Sequence, residues 1–300
     1  MKTNQFKISD DEIKKVVFLK ERYRTVFYPD QLTKKDLQDL KKIPTNDCTY
    51  STKELFTSIL LKYSKLYGKN FEGPLNQLKL FEERNTEANH RDHICHLFRV
   101  WGIGQILYKN GFSEFIPKFK VDETEEEHEA NFDFIWCLAT LYHDVGYATY
   151  SKAKGEKHGD IGAKILLDCL NEFTRITGQA WTSHATLAVN AIRHHDDEDQ
   201  IDMKKDPWST LLIIGDELQE FGRNIQVPGK IVRAEIHEME IFLDLTTIPP
   251  EMHVNMQYPR NQPTSRNDID AETSEKMKKL NELFEKRIHN LTIQVDCLIV

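Results

Sequence analysis

The chain has 300 residues, 39% hydrophobic and 29% charged, enough apolar material for a sizeable core and too much for wholesale disorder. Lys plus Arg is 40 and Asp plus Glu is 48, a formal net charge of −8, which disfavours long nucleic acid because its phosphates demand a surplus of cations. Cysteines at 48, 95, 137, 169 and 297 form no CxxC pair, which argues against a thiolate zinc site and for free thiols in a reducing compartment. The polar opening MKTNQFKISDDEIKK is no signal peptide, and no apolar run approaches the roughly 20 residues of a membrane span, so a cytoplasmic protein with no membrane partner is expected.

Helix signals dominate residues 1–224. Ser9-x-x-Glu12 and Ser51-x-x-Glu54 read as capping boxes, and after Ser51 the residues Leu55, Ile59, Leu60 and Tyr63 share one stripe. Residues 74–85 and about 90–109 predict two more helices, the second ended by Gly111. The acidic run VDETEEEHEA, residues 121–130, reads as a solvated loop or insertion, with no visible partner for His128. Four helices follow at about 131–144, 158–173, 182–196 and 207–222; Thr182/Ser183 can cap the third, and Pro207 suits a first turn.

After about residue 230 the apolar period changes from 3.6 to 2. Met239, Ile241, Leu243 and Leu245 alternate with polar residues, as do Met252, Val254, Met256 and Tyr258, and then Leu291, Ile293, Val295 and Cys297. With a helix at 272–289 and a loop at 259–268, this predicts a small β-β-α-β element with one buried sheet face.

The twelve histidines are unevenly placed. His90, His93 and His96 share one predicted helix; His143-Asp144, His158, His194-His195 and Asp216 follow. Each alone reads as readily as a surface or hydrogen-bonded residue, and a His-Asp dipeptide carries little, since the chain has two. The context of the first is more informative. FDFIWCLATLYHDVGYA is an apolar helix ending on a carboxylate that needs a partner, and a metal ion accepts imidazole and carboxylate together. HRDHICHLFRVW puts His93 and His96 on one helical face, and LLIIGDELQEFGR embeds Asp216 in an apolar helix.

The ordered series resembles the HD phosphohydrolase superfamily. HLFRV (His96 to Val100) matches the family's first H-x-x-x-V helix, LYHDVG its tandem His-Asp, and LLIIGDELQEF its distant Asp. HGDIGAKIL and AIRHHDD match the two further histidine positions of the binuclear branches, while the missing GYP after HHDDE separates the chain from the branch that degrades cyclic di-GMP. The resemblance covers roughly residues 88–224 and implies a mainly α chain. An HD-type helical bundle at 88–224 would lie between an N-terminal helical extension at 1–87 and an α/β appendage at 225–300.

The resemblance also implies a site. Asp144 would bridge two metals, His96, His143 and Asp216 would complete one, and His158 with His194 or His195 the other. The cofactors would be one or two divalent ions, manganese, iron or similar. His93 would protonate the leaving group, and Arg193, Arg223 and Lys157 would contact phosphate; Lys154 could do the same, and Tyr147 and Tyr150 could stack a base. The implied activity is hydrolysis of a phosphoester or phosphoanhydride of a nucleotide-like small molecule. Alternatives are a phosphodiesterase or nuclease acting on cyclic or oligonucleotides, and a non-catalytic ligand-binding sensor; a homodimer through the appended elements is a further expectation. A di-iron oxygenase bundle, built on Glu-x-x-His repeats, fits less well, because the tandem His-Asp is central to the series.

Overall fold

A computed structural model describes residues 3–13, 93–148, 155–177, 184–197, 199–221, 225–227, 230–232, 236–259 and 266–300. The expected helices between residues 14 and 92 lie outside these, as do Thr182/Ser183, Lys154 and Tyr150. The described part is mainly helical with a small sheet.

Five helices form the larger layer: α1 (His93–Lys109), α2 (Glu125–Tyr142), α3 (His158–Thr177), α4 (His184–His195) and α5 (Pro207–Leu218). Helix α2 is buried continuously from Ala130 to Tyr142, with Asn131, Asp133 and Thr140 among its otherwise apolar side chains, and the others pack about it. Gly104 lets α1 approach: a Cβ there would stand 2.0 Å from Trp136 Cζ2. The indole of Trp136 closes this contact by donating to the Trp101 carbonyl at 2.9 Å.

The acidic run is a helix start rather than a loop. Thr124 caps α2 in a reciprocal capping box with Glu127, and three glutamates in the first turn suit the positive end of the helix dipole. Glu123 is buried and accepts from the Phe119 amide, the Asn131 side chain and His128 Nδ1 (3.1 Å), so His128 does have a partner.

The sheet runs in the order β1 (Thr3–Ser9), β5 (Glu238–Asp244), β6 (Glu251–Tyr258), β8 (Thr292–Ile299). The first two pairings are antiparallel; β6 and β8 run parallel, joined across α6 (Arg266–Arg287). The predicted alternation is met: Met239, Ile241, Leu243, Met252, Val254, Met256, Tyr258, Ile293 and Val295 are buried, with Met277, Leu280 and Phe284 of α6 among the same core. Helix α6 starts at Arg266, within the predicted loop, and stops two residues before the expected end.

Strand β1 was not expected. It is an edge strand, polar except for Phe6 and Ile8, and Ile8 pairs with Met239 on the buried face. Lys7 contacts Glu238 (2.5 Å) and Gln5 contacts Glu240 (2.8 Å) across the strands. The sheet therefore has four main strands, and residues at both ends of the chain build it. The Ser9–Glu12 capping box forms as expected: Glu12 N–H donates to Ser9 Oγ at 3.2 Å and Ser9 N–H to the Glu12 carboxylate at 3.1 Å.

Two short pairings complete the described strands: β2 (Ile201–Asp202) runs parallel to β7 (Ile288–His289), and β3 (Ile225–Val227) antiparallel to β4 (Lys230–Val232). The first joins the loop after α4 to the end of α6. Cys137, Cys169 and Cys297 are free thiols. Among the described residues no helix is long and apolar enough to cross a membrane.

Candidate metal centre

Each helix delivers its polar residues at an end or on an inner face. His96 lies in the first turn of the described α1, buried to 1% exposure. Helix α2 is apolar to Tyr142; His143 caps it, and Asp144 follows, both buried. The chain then makes a 3-10 turn at Val145–Ala148, and α3 returns to start at His158. A glycine permits that return, because a Cβ on Gly146 would meet the His158 carbonyl oxygen at 2.0 Å. Helix α4 ends on His195, and α5 presents Asp216.

These six residues form two groups of three, His96–His143–Asp216 and Asp144–His158–His195; within each, one ligand atom per residue lies within 4.8 Å of the others. In the first, His96 Nε2 is 2.9 Å from Asp216 Oδ1 and 3.3 Å from His143 Nε2. In the second, the Nε2 atoms of His158 and His195 are 3.0 Å apart. Asp144 stands between them: Oδ2 is 3.5 Å from His96 Nε2, and Oδ1 is 3.5 Å from both His143 Nε2 and His158 Nε2.

The other ring nitrogens fix the tautomers. His143 Nδ1 donates to the Thr140 carbonyl at 2.8 Å, and His195 Nδ1 to the Ile192 carbonyl at 2.5 Å. His158 Nδ1 faces the Asp196 carboxylate at 2.8 Å. His96 Nδ1 faces Gln219 Oε1 at 2.5 Å, and that amide is oriented by its own Nε2 donating to the Phe221 carbonyl at 2.7 Å. All four partners are acceptors, so every Nδ1 carries the proton and every neutral ring turns an Nε2 lone pair inward. Facing lone pairs 3.0–3.3 Å apart repel unless a proton or a cation lies between them.

A proton is disfavoured at one of these sites. Burial, followed by the charges on His143 and His158, pulls the His195 pKa down to about 4 against the pull of Asp216 and Asp144. His195 is therefore neutral near pH 7, the form that binds a metal. Burial acts to raise the Asp196 carboxyl, but the hydrogen bond and charge of His158, with the Gly159 amide and the charge of His195, outweigh it and leave its pKa lowered. Asp196 thus remains an anionic acceptor for His158. Outward hydrogen bonding of this kind is what orients imidazole ligands in metal sites. Buried His and Asp groups of this composition could hold a metal ion.

Comparison of the chain with protein-family models, curated proteins and solved structures finds no match.

Of the residues singled out in the sequence, His96, His143, Asp144, His158, His195 and Asp216 come together, and His194 belongs to neither group. Its ring is turned to Asp206, Nδ1 to Oδ2 at 3.0 Å, and its side chain is 42% exposed. Consecutive helical residues diverge by about 100°, so only one of a His-His pair can face the centre. Lys157 is exposed and ion-paired with Asp197 at 2.6 Å, which raises its pKa; Arg193 is exposed, 3.6 Å from Asp160. Arg223 and the His93 side chain lie outside the described residues. Tyr147 stacks on the His158 ring, with centroids 4.0 Å apart and planes 19° apart.

Gln219 and Asp196 escaped the sequence reading as supports of the ligands. Asp196 is foreshadowed by the acids that follow His195, but Gln219 lies beyond the end of α5 and has no motif to betray it.

Proposed function

We propose that the chain is an HD-type, metal-dependent phosphohydrolase acting on a small, nucleotide-like phosphoester or phosphoanhydride. The observation that carries the reading is the inward set of four Nε2 lone pairs with the Asp144 carboxylate between the two groups. His96, His143 and Asp216 would hold one divalent ion and His158 and His195 the other, with Asp144 shared between them.

Two bound ions supply Lewis-acid polarisation of a phosphoryl oxygen and a water that ionises near neutral pH. The residues set the charge of the pocket: two carboxylates and four neutral imidazoles leave two divalent ions with a net charge of about +2, which favours an anionic substrate. Gln219, Asp196 and the Thr140 and Ile192 carbonyls keep each Nδ1 protonated, so no ring can swing or turn its lone pair outward without breaking that hydrogen bond. Asp144 and His143, nearly without exposure, are shielded from bulk water. Tyr147, over His158, offers an aromatic face beside the centre. Lys157 can exchange Asp197 for substrate phosphate, and His93, one turn before His96, is the candidate proton donor to the leaving oxygen.

The test is metal content per chain after purification without chelator, for the parent and for His143→Ala and His158→Ala. It is followed by phosphate release from nucleoside mono- and triphosphates and from cyclic and linear dinucleotides. Nearly two ions, reduced in both variants, with release from the mononucleotides is the expected result. A chain that takes up neither manganese nor iron is no phosphohydrolase of this kind, and turnover confined to dinucleotides would make it a phosphodiesterase.

A further inference from the structure

Helix α6 belongs to the sheet unit, yet its last residue reaches the metal centre. Arg287 Nη1 donates to the His195 carbonyl at 2.7 Å and Nη2 to the His194 carbonyl at 2.9 Å. These carbonyls belong to the last turn of α4, whose final C=O groups have no intrahelical partner. The guanidinium thus bridges the peptide groups on either side of the His195 Cα, the residue whose Nε2 faces His158. A cation also suits the negative end of a helix dipole. Burial lowers the Arg287 pKa, while Glu217, Asp196, Asp197 and Asp216 act to raise it and favour the charged form. Earlier in α6, Lys276 pairs with buried Glu220, one residue past the Gln219 that orients His96.

We infer that Arg287 is a positioning residue for the second ligand group, holding the end of α4 so that His195 Nε2 meets His158 and Asp144. The inference rests on the metal reading and adds that the sheet unit is part of the centre. An isolated residue 88–224 bundle would carry the ligands without the strut that sets one of them. The two-point geometry calls for a planar fork; a lysine at the position would reach one carbonyl at a time.

The test compares the full-length parent with Arg287→Ala, Arg287→Lys and Lys278→Ala, the last on an exposed stretch of the same helix. Manganese affinities are read by titration against a competing chelator. Arg287→Ala is expected to weaken one of two ions about 10–100-fold, the usual effect of losing an outer support, and to spare the other. Arg287→Lys falls between, and Lys278→Ala matches the parent. Long-range proton–nitrogen spectra of the imidazoles in excess chelator give a second readout that needs no ion. The Nδ1–H form of His195 is expected in the parent and mixed tautomers in Arg287→Ala.

An Arg287→Ala chain with both parental affinities and an unchanged His195 signature overturns the inference alone. A parent that binds no ion overturns the metal reading, and the His195 signature then decides separately whether Arg287 positions that ring. If Arg287→Ala does not fold, the lysine variant decides: parental affinity at both ions overturns the inference, and selective weakening of one supports it.

Discussion

Replacing Gln219 with leucine should separate metal affinity from folding. Gln219 is 1% exposed and makes two buried bonds, accepting from His96 Nδ1 at 2.5 Å and donating to the Phe221 carbonyl at 2.7 Å. Leucine keeps most of the volume and removes both. A buried group deprived of its partner costs about 1–3 kcal/mol. The Phe221 carbonyl loses this donor. His96 can move its proton to Nε2 and donate to His143 Nε2, 3.3 Å away. The metal-free chain should therefore lose about 1–3 kcal/mol, less than the two bonds taken separately. The relaxed tautomer aims a proton where an ion would sit, so affinity at the His96–His143–Asp216 group should fall about 10–100-fold, or about 1.4–2.8 kcal/mol. Urea unfolding in excess chelator measures the first quantity, and manganese titration against a competing chelator the second. Parental affinity at both ions in Gln219→Leu, or an equal loss at both, would refute the tautomer reasoning.

Three further outcomes are expected. His195→Ala should lose an ion while His194→Ala keeps both and is destabilised only through its lost Asp206 contact, as metal content per chain and thermal melting will show. Gly104→Ala should destabilise the fold by at least about 1–3 kcal/mol in urea, because the new methyl is driven into the Trp136 ring; a parental midpoint would mean that α1 and α2 part easily. The pH dependence follows from His195, whose pKa drops from an ordinary 6.5 to about 4 on folding. Between those values the unfolded chain binds the extra proton, so this residue's contribution to stability is present above about pH 6.5 and is lost as pH falls toward 4. In excess chelator the parent should lose more stability between pH 7 and pH 5 than His195→Asn, and equal losses would contradict the assignment.

The sequence made the helices that carry the clustered His and Asp residues legible because their signals are local. Apolar runs end on His143-Asp144 and His195, a proline opens α5, and strict alternation marks β5, β6 and β8. The misreadings share a cause. The run 121–130 looks solvated because its charges are counted, whereas Thr124-x-x-Glu127 turns three of them into a helix start and Glu123 is drawn inside by Asn131, His128 and the Phe119 amide. Strand β1 carries two apolar side chains, too few for a period, and is defined by the edge of β5 more than 200 residues away. The choice between His194 and His195 depended on where Asp206 and Asp144 stand in space. Gln219 and Arg287 reach His96 and His195 through a side-chain amide and a pair of backbone carbonyls, contacts that leave no spacing rule in a sequence.

The pairing of Thr3–Ser9 with Glu238–Asp244 imposes an order on synthesis. During synthesis strand β1 must wait for more than 200 further residues before its partner exists, while the helices carrying His143 and His158 can already pack against their neighbours. The entropic cost of closing so long a loop grows only with the logarithm of its length, so the delay is one of time more than of stability. During that interval the nascent chain displays an unpaired edge, and Lys7 is the charge that discourages a neighbour from pairing with it. A chain trimmed of these seven residues would transfer the exposed edge to β5, where Phe242 already faces solvent, and would be prone to pair edge to edge with its own copies.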